Sequence, residues 1–392
     1  MLHIKEFVNT KVTEAGGNRK QGQCAVAESI KKMLAGPTPK LDARDISLRA
    51  LFEAMCVPDG VSTEEFVFSP EYREAVDSSA FPISVKYITD SVAIPAYNRG
   101  LAGADMLVRD RGVNTQAGKD DSIKVRGFLS DLWPDRVYRG MPYTEGNLME
   151  KYAEIEIATF GRIVGFTKYA LLMDDGEMLN EAEMLSENGG AHRHTFIVQS
   201  AADRAVDATG RAAAKSLWYE GTKGEVYLSD HSGVEEGSQT NDNLFAGSLV
   251  TAPTQSLTDM FVGMATMKDI FGRPVRSRPN TILAPMALEI AAQVVTQSPF
   301  QSDNANNGIT PRFFQSLNIV SSNVLDAIDA NDWYGGDFAK AHWWYWGWKV
   351  KTDVQGAGSD ADFERDEALR IKVSYRGGCG YVDYRYVCKF SN

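Results

Sequence analysis

The spacing of apolar residues changes character several times along the 392-residue chain. Leu48, Leu51, Phe52 and Met55 recur at i, i+3, i+4 and i+7, which places them on one face of a helix over Ser47–Met55. A second short helix is expected over Ala25–Leu34, with Gly36-Pro37 and Pro58-Asp59-Gly60 breaking the chain nearby. Residues 1–90 otherwise read as loosely organised. Two such helices cannot enclose a core, so they must pack on something else, in this chain or in another copy.

From 123 to 173 the signal turns to strand. It begins at Ile123, Val125 and Phe128-Leu129 and resumes at Val137 and Tyr138. The run Tyr152-Ala153-Glu154-Ile155-Glu156-Ile157 alternates, with one face wet and the other packed. Gly140 to Gly146 forms a turn-rich tip between these strands. The whole reads as a long hairpin-like arm, and a lone hairpin is marginal in water, so the arm implies a partner surface.

Residues 178–219 are rich in Ala, Glu, Met and Leu, all good helix formers, and the best part is Thr195–Trp218. One long helix is expected, with Gly189-Gly190 as the point where it could break. Residues 222–251 read as a loop excursion. Leu257, Met260, Phe261, Met264 and Met267 then share a helical face, with Thr254 or Ser256 as N-cap and Gly272 as stop. Thr281-Ile282-Leu283 leads through Ala284-Pro285 into a helix lined by Leu288, Ala291, Ala292 and Val295. Residues 299–312 form a polar loop. Ile319-Val320, Trp333-Tyr334 and Trp343–Val350 look like strands of an α+β domain. At the end, Leu369, Ile371, Val373 and Tyr375 alternate with polar residues, Gly377-Gly378-Cys379-Gly380 turns the chain, and Tyr381–Phe390 returns, which predicts a hairpin.

Composition narrows the function classes. The chain is 43% hydrophobic and 24% charged, ordinary for a globular protein with a substantial core. Its net charge of −11 disfavours binding to phosphate backbones, and the densest basic cluster, Arg273–Arg278, is diluted by Pro274 and Val275. The start, MLHIKEFVNTKV, is not a signal peptide, and no apolar run reaches membrane-spanning length. A protein made and kept in the cytoplasm, or in something assembled there, is expected. The four cysteines, at 24, 56, 379 and 388, form no C-x-x-C pair. Cys379 and Cys388 are too far apart along an extended strand to bond, so four reduced thiols are expected.

His192 and His194 stand two apart, which on a helix places them on different faces, so they cannot chelate one metal together, and His231 with an acidic residue could complete a site only by tertiary accident. Gly112–Lys119 approaches a phosphate loop, but it has five residues between its glycines and Asp120 where a hydroxyl should follow. Asp174-Asp175 and Glu235-Glu236 are adjacent pairs whose side chains point apart, unsuited to acid–base partnership. The run Trp343-Trp344-Tyr345-Trp346-Gly347-Trp348 could be a stacking platform for sugar or single-stranded nucleic acid, and the missing positive charge argues against the latter. With Trp344, Trp346 and Trp348 on one strand face and Trp343 and Tyr345 on the other, it reads better as core or interface. No catalytic, cofactor-binding or metal-ligating residue is assigned and no cofactor is expected. Among the alternatives, a carbohydrate-binding module using Trp343–Trp348 ranks ahead of a metal-dependent hydrolase. The lack of chemistry beside arm-like excursions favours a non-enzymatic assembly protein.

The order of segments resembles the Mu-like branch of tailed-bacteriophage major capsid (major head) proteins. ISLRALFEAM (46–55) and SSAFPISVKYITDSVAIPAY (78–97) are similar to the family's N-terminal region. VYRGMPYTEGNLMEKYAEIEIATFGRIVGFTKYALLMDD (137–175) is similar to its extended loop and return strand. VYLSDHSG (226–233), RPNTILAPMALEIAAQVVTQS (278–298), NDWYGGDF (331–338) and the closing DFERDEALRIKVSYRGGCGYVDYRYV complete the set, so the resemblance covers 46–392 in family order. The Trp-rich run departs from it, and residues 1–45 match nothing in it.

The resemblance implies an α+β, Hong-Kong-97-type capsid fold. Its parts would be an N-terminal arm with short helices at 1–90, a connection at 91–122 and an extended β-hairpin loop at 123–172. A peripheral domain with a long spine helix would occupy 173–240, the axial α+β domain 241–365, and a C-terminal hairpin of the peripheral domain 366–392. It implies hexamers and pentamers in an icosahedral head enclosing double-stranded DNA without reading its sequence, and no membrane. Scaffolding protein, head protease, portal and decoration proteins are the implied partners. The location would be the virion capsid, assembled in the host bacterial cytoplasm.

Overall fold

In a computed structural model the chain is described at residues 4–15, 19–34, 46–58, 60–69, 71–78, 80–126, 152–173, 177–203, 217–219, 222–229, 231, 241–269, 272–297, 317–356 and 367–391. The first half runs α1 (Ile4–Glu14), α2 (Arg19–Leu34), α3 (Leu48–Met55), α4 (Thr63–Val67), α5 (Glu71–Ser78), α6 (Phe81–Gly100), β1 (Arg109–Val113), β2 (Ser122–Arg126), β3 (Tyr152–Glu156), β4 (Ala158–Thr167), α7 (Lys168–Met173) and α8 (Glu177–Ala201). Then come β5 (Leu217–Tyr219), β6 (Thr222–Gly224), β7 (Leu244–Ala246), α9 (Pro253–Thr266), β8 (Thr281–Pro285), α10 (Glu289–Gln297), β9 (Asn318–Ser322) and α11 (Asn323–Asp326). The chain closes with β10 (Trp333–Gly336), α12 (Phe338–Ala341), β11 (His342–Gln355), β12 (Glu367–Tyr381) and β13 (Val387–Ser391). The architecture is mixed helix and sheet.

Two compact units form. Unit 1 comprises 1–102, 159–192 and 350–375; unit 2 comprises 103–158, 193–349 and 376–392. In unit 1, α3 carries its predicted stripe: Leu48, Leu51, Phe52 and Met55 are buried, and the Ser47 hydroxyl caps the helix by accepting from the Ala50 N–H at 3.1 Å. Phe52 meets Phe66, Tyr72 and Phe81 at ring-centroid distances of 6.4, 5.8 and 5.5 Å. Val8 of α1, Val26 and Ile30 of α2, Val85 and Ile88 of α6, and Leu369 and Ile371 of β12 belong to the same cluster. Residues 1–90 are therefore not loosely organised where described. They are largely helical and share a core with later segments of their own chain.

Gly189-Gly190 does not break α8. The helix runs unbroken through both glycines, because at this point α6 and α8 approach too closely for any side chain. A Cβ on Gly190 would lie 3.0 Å from the Tyr97 carbonyl carbon and 3.1 Å from Gly100 Cα. A helical glycine costs up to about 1 kcal/mol against alanine in propensity, and the close helix contact offsets this. Gly190→Ala is expected to destabilise unit 1 by about 2 kcal/mol despite alanine's better propensity, because backbone has nowhere to move. Urea unfolding of the purified variant checks the sign; a gain in stability would contradict the close approach.

The helical segment also ends earlier than expected. It stops at Ala201, where Asp203 adopts a left-handed conformation (φ 58°) and its carboxylate accepts from the Val226 N–H at 2.9 Å. Leu217–Tyr219 is strand β5 instead of helix, and residues 204–216 lie outside the described residues. The expected strand signal to 173 ends at Thr167, whose hydroxyl accepts from the Ala170 N–H at 3.2 Å and starts α7.

One sheet has the strand order β1-β11-β12-β5-β3-β2, with β4 on β12 and β6 on β5. β2 and β3 pair antiparallel from Ser122↔Glu156 to Arg126↔Tyr152, as the base of a hairpin would. The expected tip at 140–146 lies outside the described residues. A second sheet, β7-β13-β10-β8-β9, packs on α9 and α10. Trp333 stacks on Phe390 there at 4.1 Å, beside Met260 and Ile282. α9 starts at Pro253, so neither Thr254 nor Ser256 is its N-cap, and it ends at Thr266, before Gly272. Ser256 instead donates its hydroxyl hydrogen to the Ser248 and Ala252 carbonyls.

The C-terminal hairpin is corrected. β12 runs straight through Gly377-Gly378-Cys379-Gly380 to Tyr381, and β13 pairs with β10 and β7 in the other sheet. The glycines serve close strand packing instead of a turn. A Cβ on Gly377 would lie 2.8 Å from the Trp344 ring and the Tyr345 carbonyl oxygen, and one on Gly378 would lie 3.0 Å from the Glu156 carbonyl carbon.

Candidate functional site

The histidines each have a private partner. His192 Nδ1 lies 2.9 Å from the Tyr375 hydroxyl, with the Phe160 ring tilted against it at 4.8 Å, in a cleft of about 280 Å³ also lined by Leu185 and Val373. Burial lowers its pKa. His194 Nε2 meets the Ser322 hydroxyl at 2.9 Å. His231 stacks on Tyr384 at 3.6 Å, with Nε2 3.0 Å from Asn243 Oδ1. Among the described residues, no group of three or more His, Cys, Asp or Glu is arranged to hold a metal ion.

His342 is fully buried. Its Nδ1–H donates to the Leu107 carbonyl at 3.0 Å, which leaves Nε2 to accept from the Ser200 hydroxyl at 2.8 Å. Tyr381 stacks on the ring at 4.7 Å. Burial pulls its pKa down to about 4.

Gly112–Lys119 is a turn that satisfies itself. Asp110 accepts from the Gly112 N–H, and Asn114 accepts from the Gln116 N–H. Arg376 then donates to the Ala117 and Asp120 carbonyls. The N–H groups of Gly118, Lys119 and Asp120 also bond within the turn, to the Asn114 and Gln116 carbonyls. Asp174-Asp175 and Glu235-Glu236 lie outside the described residues. Cys379 and Cys388 sit on strands of different sheets as free thiols. Burial pushes the Cys379 thiol up to about 12 and raises that of Cys388, which donates to the Gly335 carbonyl.

The tryptophan run lies on β11 with the predicted facing. Trp344 and Trp346 are buried, and the buried Arg193 guanidinium sits 4.5 Å from each ring. One Asp105 carboxylate oxygen lies 3.3 Å from that guanidinium. On the other face, Arg111 covers Trp343 at 3.6 Å. Rings closed off by arginine and core cannot stack on a sugar, so the platform reading fails on geometry. The run is packing.

What remains for function is surface. Met286, Ile290 and Val294 line one exposed stripe along the start of α10, at 55%, 77% and 47% exposure. Phe68 and Tyr169, 5.4 Å apart, form with Met173 an exposed apolar patch in unit 1. Sequence reasoning named none of these, because a single sequence does not show which apolar residues stay outside.

Residues 151–390 match the profile of a family described as phage capsid protein. That span is more than half of the chain. The chain belongs to the phage capsid protein family. It is accordingly a structural protein of a viral capsid and not an enzyme, and its role is in the shell. No curated protein matches it. Solved structures similar to this phage capsid chain include the capsid of Myoviridae Phage XM1, at 10% identity over 74% of this chain and 91% of that one, with a TM-score of 0.42. The capsid of Cyanophage P-SCSP1u matches at 13% identity over 73% and 86%, TM-score 0.42. A virus-like particle from Pyrococcus furiosus matches at 10% over 77% and 96%, TM-score 0.38. Membership of the phage capsid family does not draw on these likenesses.

Proposed function

We propose that this chain is the major head subunit of a tailed bacteriophage of the Mu-like branch, with the Hong-Kong-97-type fold. It assembles into hexamers and pentamers that enclose double-stranded DNA in an icosahedral head. In this reading 1–90 is the N-terminal arm, 91–122 connects onward, 123–172 is the extended loop, 173–240 carries the spine helix, 241–365 is the axial domain, and 366–392 returns to the peripheral domain. Assembly takes place in the host bacterial cytoplasm, with scaffolding protein, head protease, portal and decoration proteins as partners.

The observation that carries the reading is the family match over 151–390. The exposed apolar stripe of Met286, Ile290 and Val294 supports it, since such patches on a folded chain mark surfaces that expect a partner. Modest contacts suffice when many act together in a closed symmetric shell. The net charge of −11 fits a container that repels packaged DNA. Negative-stain microscopy of the overexpressed chain tests the reading: closed shells or capsomers are expected, and monomers alone, with or without scaffolding partners, would contradict it.

A further inference from the structure

Unit 2 carries an open groove and, bonded to its Met267–Lys268 wall, a strap of the opposite charge. The groove lies between β7 and α9 and is lined by Asp242, Phe245, Asp259, Val262, Gly263 and Lys268 among others. β7 ends its sheet, pairing only with β13 among the described residues. An unpaired strand edge is a ready template for another chain. Val262 is 56% exposed at the rim, while the missing side chain of Gly263 lets the Phe245 ring press against α9 as the floor. Asp242 and Asp259 face one ammonium, Lys268, and neither carboxylate makes an ion pair within its own copy among the described residues. Their contacts are local: Asp242 accepts from the Leu244 N–H and Asp259 from the Gln255 side chain.

The strap is Arg273–Arg278, the densest basic cluster in the sequence. Its charge points outward: Arg276 and Arg278 are exposed, while Val275 and Ser277 are half-buried and Pro279 is buried. The strap is anchored at both ends, by Val275 N–H to the Met267 carbonyl at 2.8 Å and Asn280 N–H to the Gly336 carbonyl at 3.1 Å. Neither Arg276 nor Arg278 has an acidic partner within the copy among the described residues. A chain that carries both an anionic groove and a fixed cationic strap has the makings of a head-to-tail contact, which forms a ring where its rotation closes.

We propose that the groove beside β7 receives the Arg276–Arg278 strap of a second copy, so that Asp242 and Asp259 pair with its two guanidinium groups. This rests on the shell-subunit reading above and names one of its mating surfaces. Opposed charges at such a contact fix partner and register.

Charge reversal with rescue tests it. Asp242→Arg with Asp259→Arg, and Arg276→Glu with Arg278→Glu, are each expected to cut the yield of sedimentable particles about tenfold or more, since like charges then meet across the contact. The four-fold swap, or an equal mixture of the two double variants, is expected to restore assembly. Asp242→Asn with Asp259→Asn keeps the local acceptor oxygens, and is expected to weaken assembly while leaving the melting temperature of the subunit unchanged. Double variants that assemble at the wild-type yield, or folded double variants that no swap rescues, would overturn the contact. A wild type that forms no particles sinks the shell reading itself, whereas a wild type that assembles beside indifferent variants sinks only this contact.

Discussion

Trp344→Ala is expected to cost unit 2 about 4 kcal/mol, enough to threaten folding of a typical domain. The ring is fully buried, packs edge-on to Phe196 at 6.1 Å and to Trp346 at 5.3 Å, and has Gly377 pressed against it. Truncation would leave a large cavity in a place where strands β11 and β12 cannot close up. It would also strip one of the two ring faces that hold the Arg193 charge, and a buried cation that loses its partners is costly. Trp344→Phe is expected to lose far less, because the indole N–H makes no hydrogen bond that phenylalanine would forfeit. Trp333, Trp343, Trp344, Trp346 and Trp348 all belong to unit 2, so fluorescence-detected urea unfolding reports on the right part of the chain. Equal losses for Ala and Phe would show that the ring's volume is not what matters.

Acid is expected to destabilise unit 2 through His342. The imidazole is held neutral in the fold, with its pKa near 4, against about 6.5 in the unfolded chain. The unfolded state therefore binds more protons between these values, and stability falls as pH drops through that window. The contribution is complete above about pH 6.5, is reduced by about 2 kcal/mol at pH 5, and is lost to the extent of about 3 kcal/mol below pH 4. His192 is shifted in the same direction within unit 1, so the comparison needs a variant. His342→Gln is expected to be less stable at pH 7 and to show a flatter dependence between pH 7 and pH 5 in the same fluorescence assay. An unchanged slope would place the acid sensitivity elsewhere.

Where apolar residues recur at a clean period, sequence and structure agree. The i, i+3, i+4, i+7 stripe of α3 is buried as read, and Thr281–Pro285 leads into α10. The tryptophan run became a strand with its two faces assigned correctly, since period two leaves little choice. Glycine is where the reading failed. Gly189-Gly190 suggested a break and Gly377-Gly380 a turn, yet both pairs sit inside regular elements and mark close backbone approach. The letter is the same in either case, and only the neighbour decides. α1 was missed although Phe7, Val8 and Val12 are spaced for one face. The family was legible from the order of motifs. The groove beside β7 was not, because it exists only once α9 folds back over Phe245.

The central claim is that this 43.2 kDa chain builds a closed shell from copies of itself. Sedimentation velocity of the purified protein, read together with electron micrographs of the same fractions, tests it most directly. Fast-sedimenting particles of uniform size, with five- and six-fold capsomers resolved in the images, are the predicted result. A single slow boundary at the monomer mass under every condition, including the presence of scaffolding protein, would contradict it.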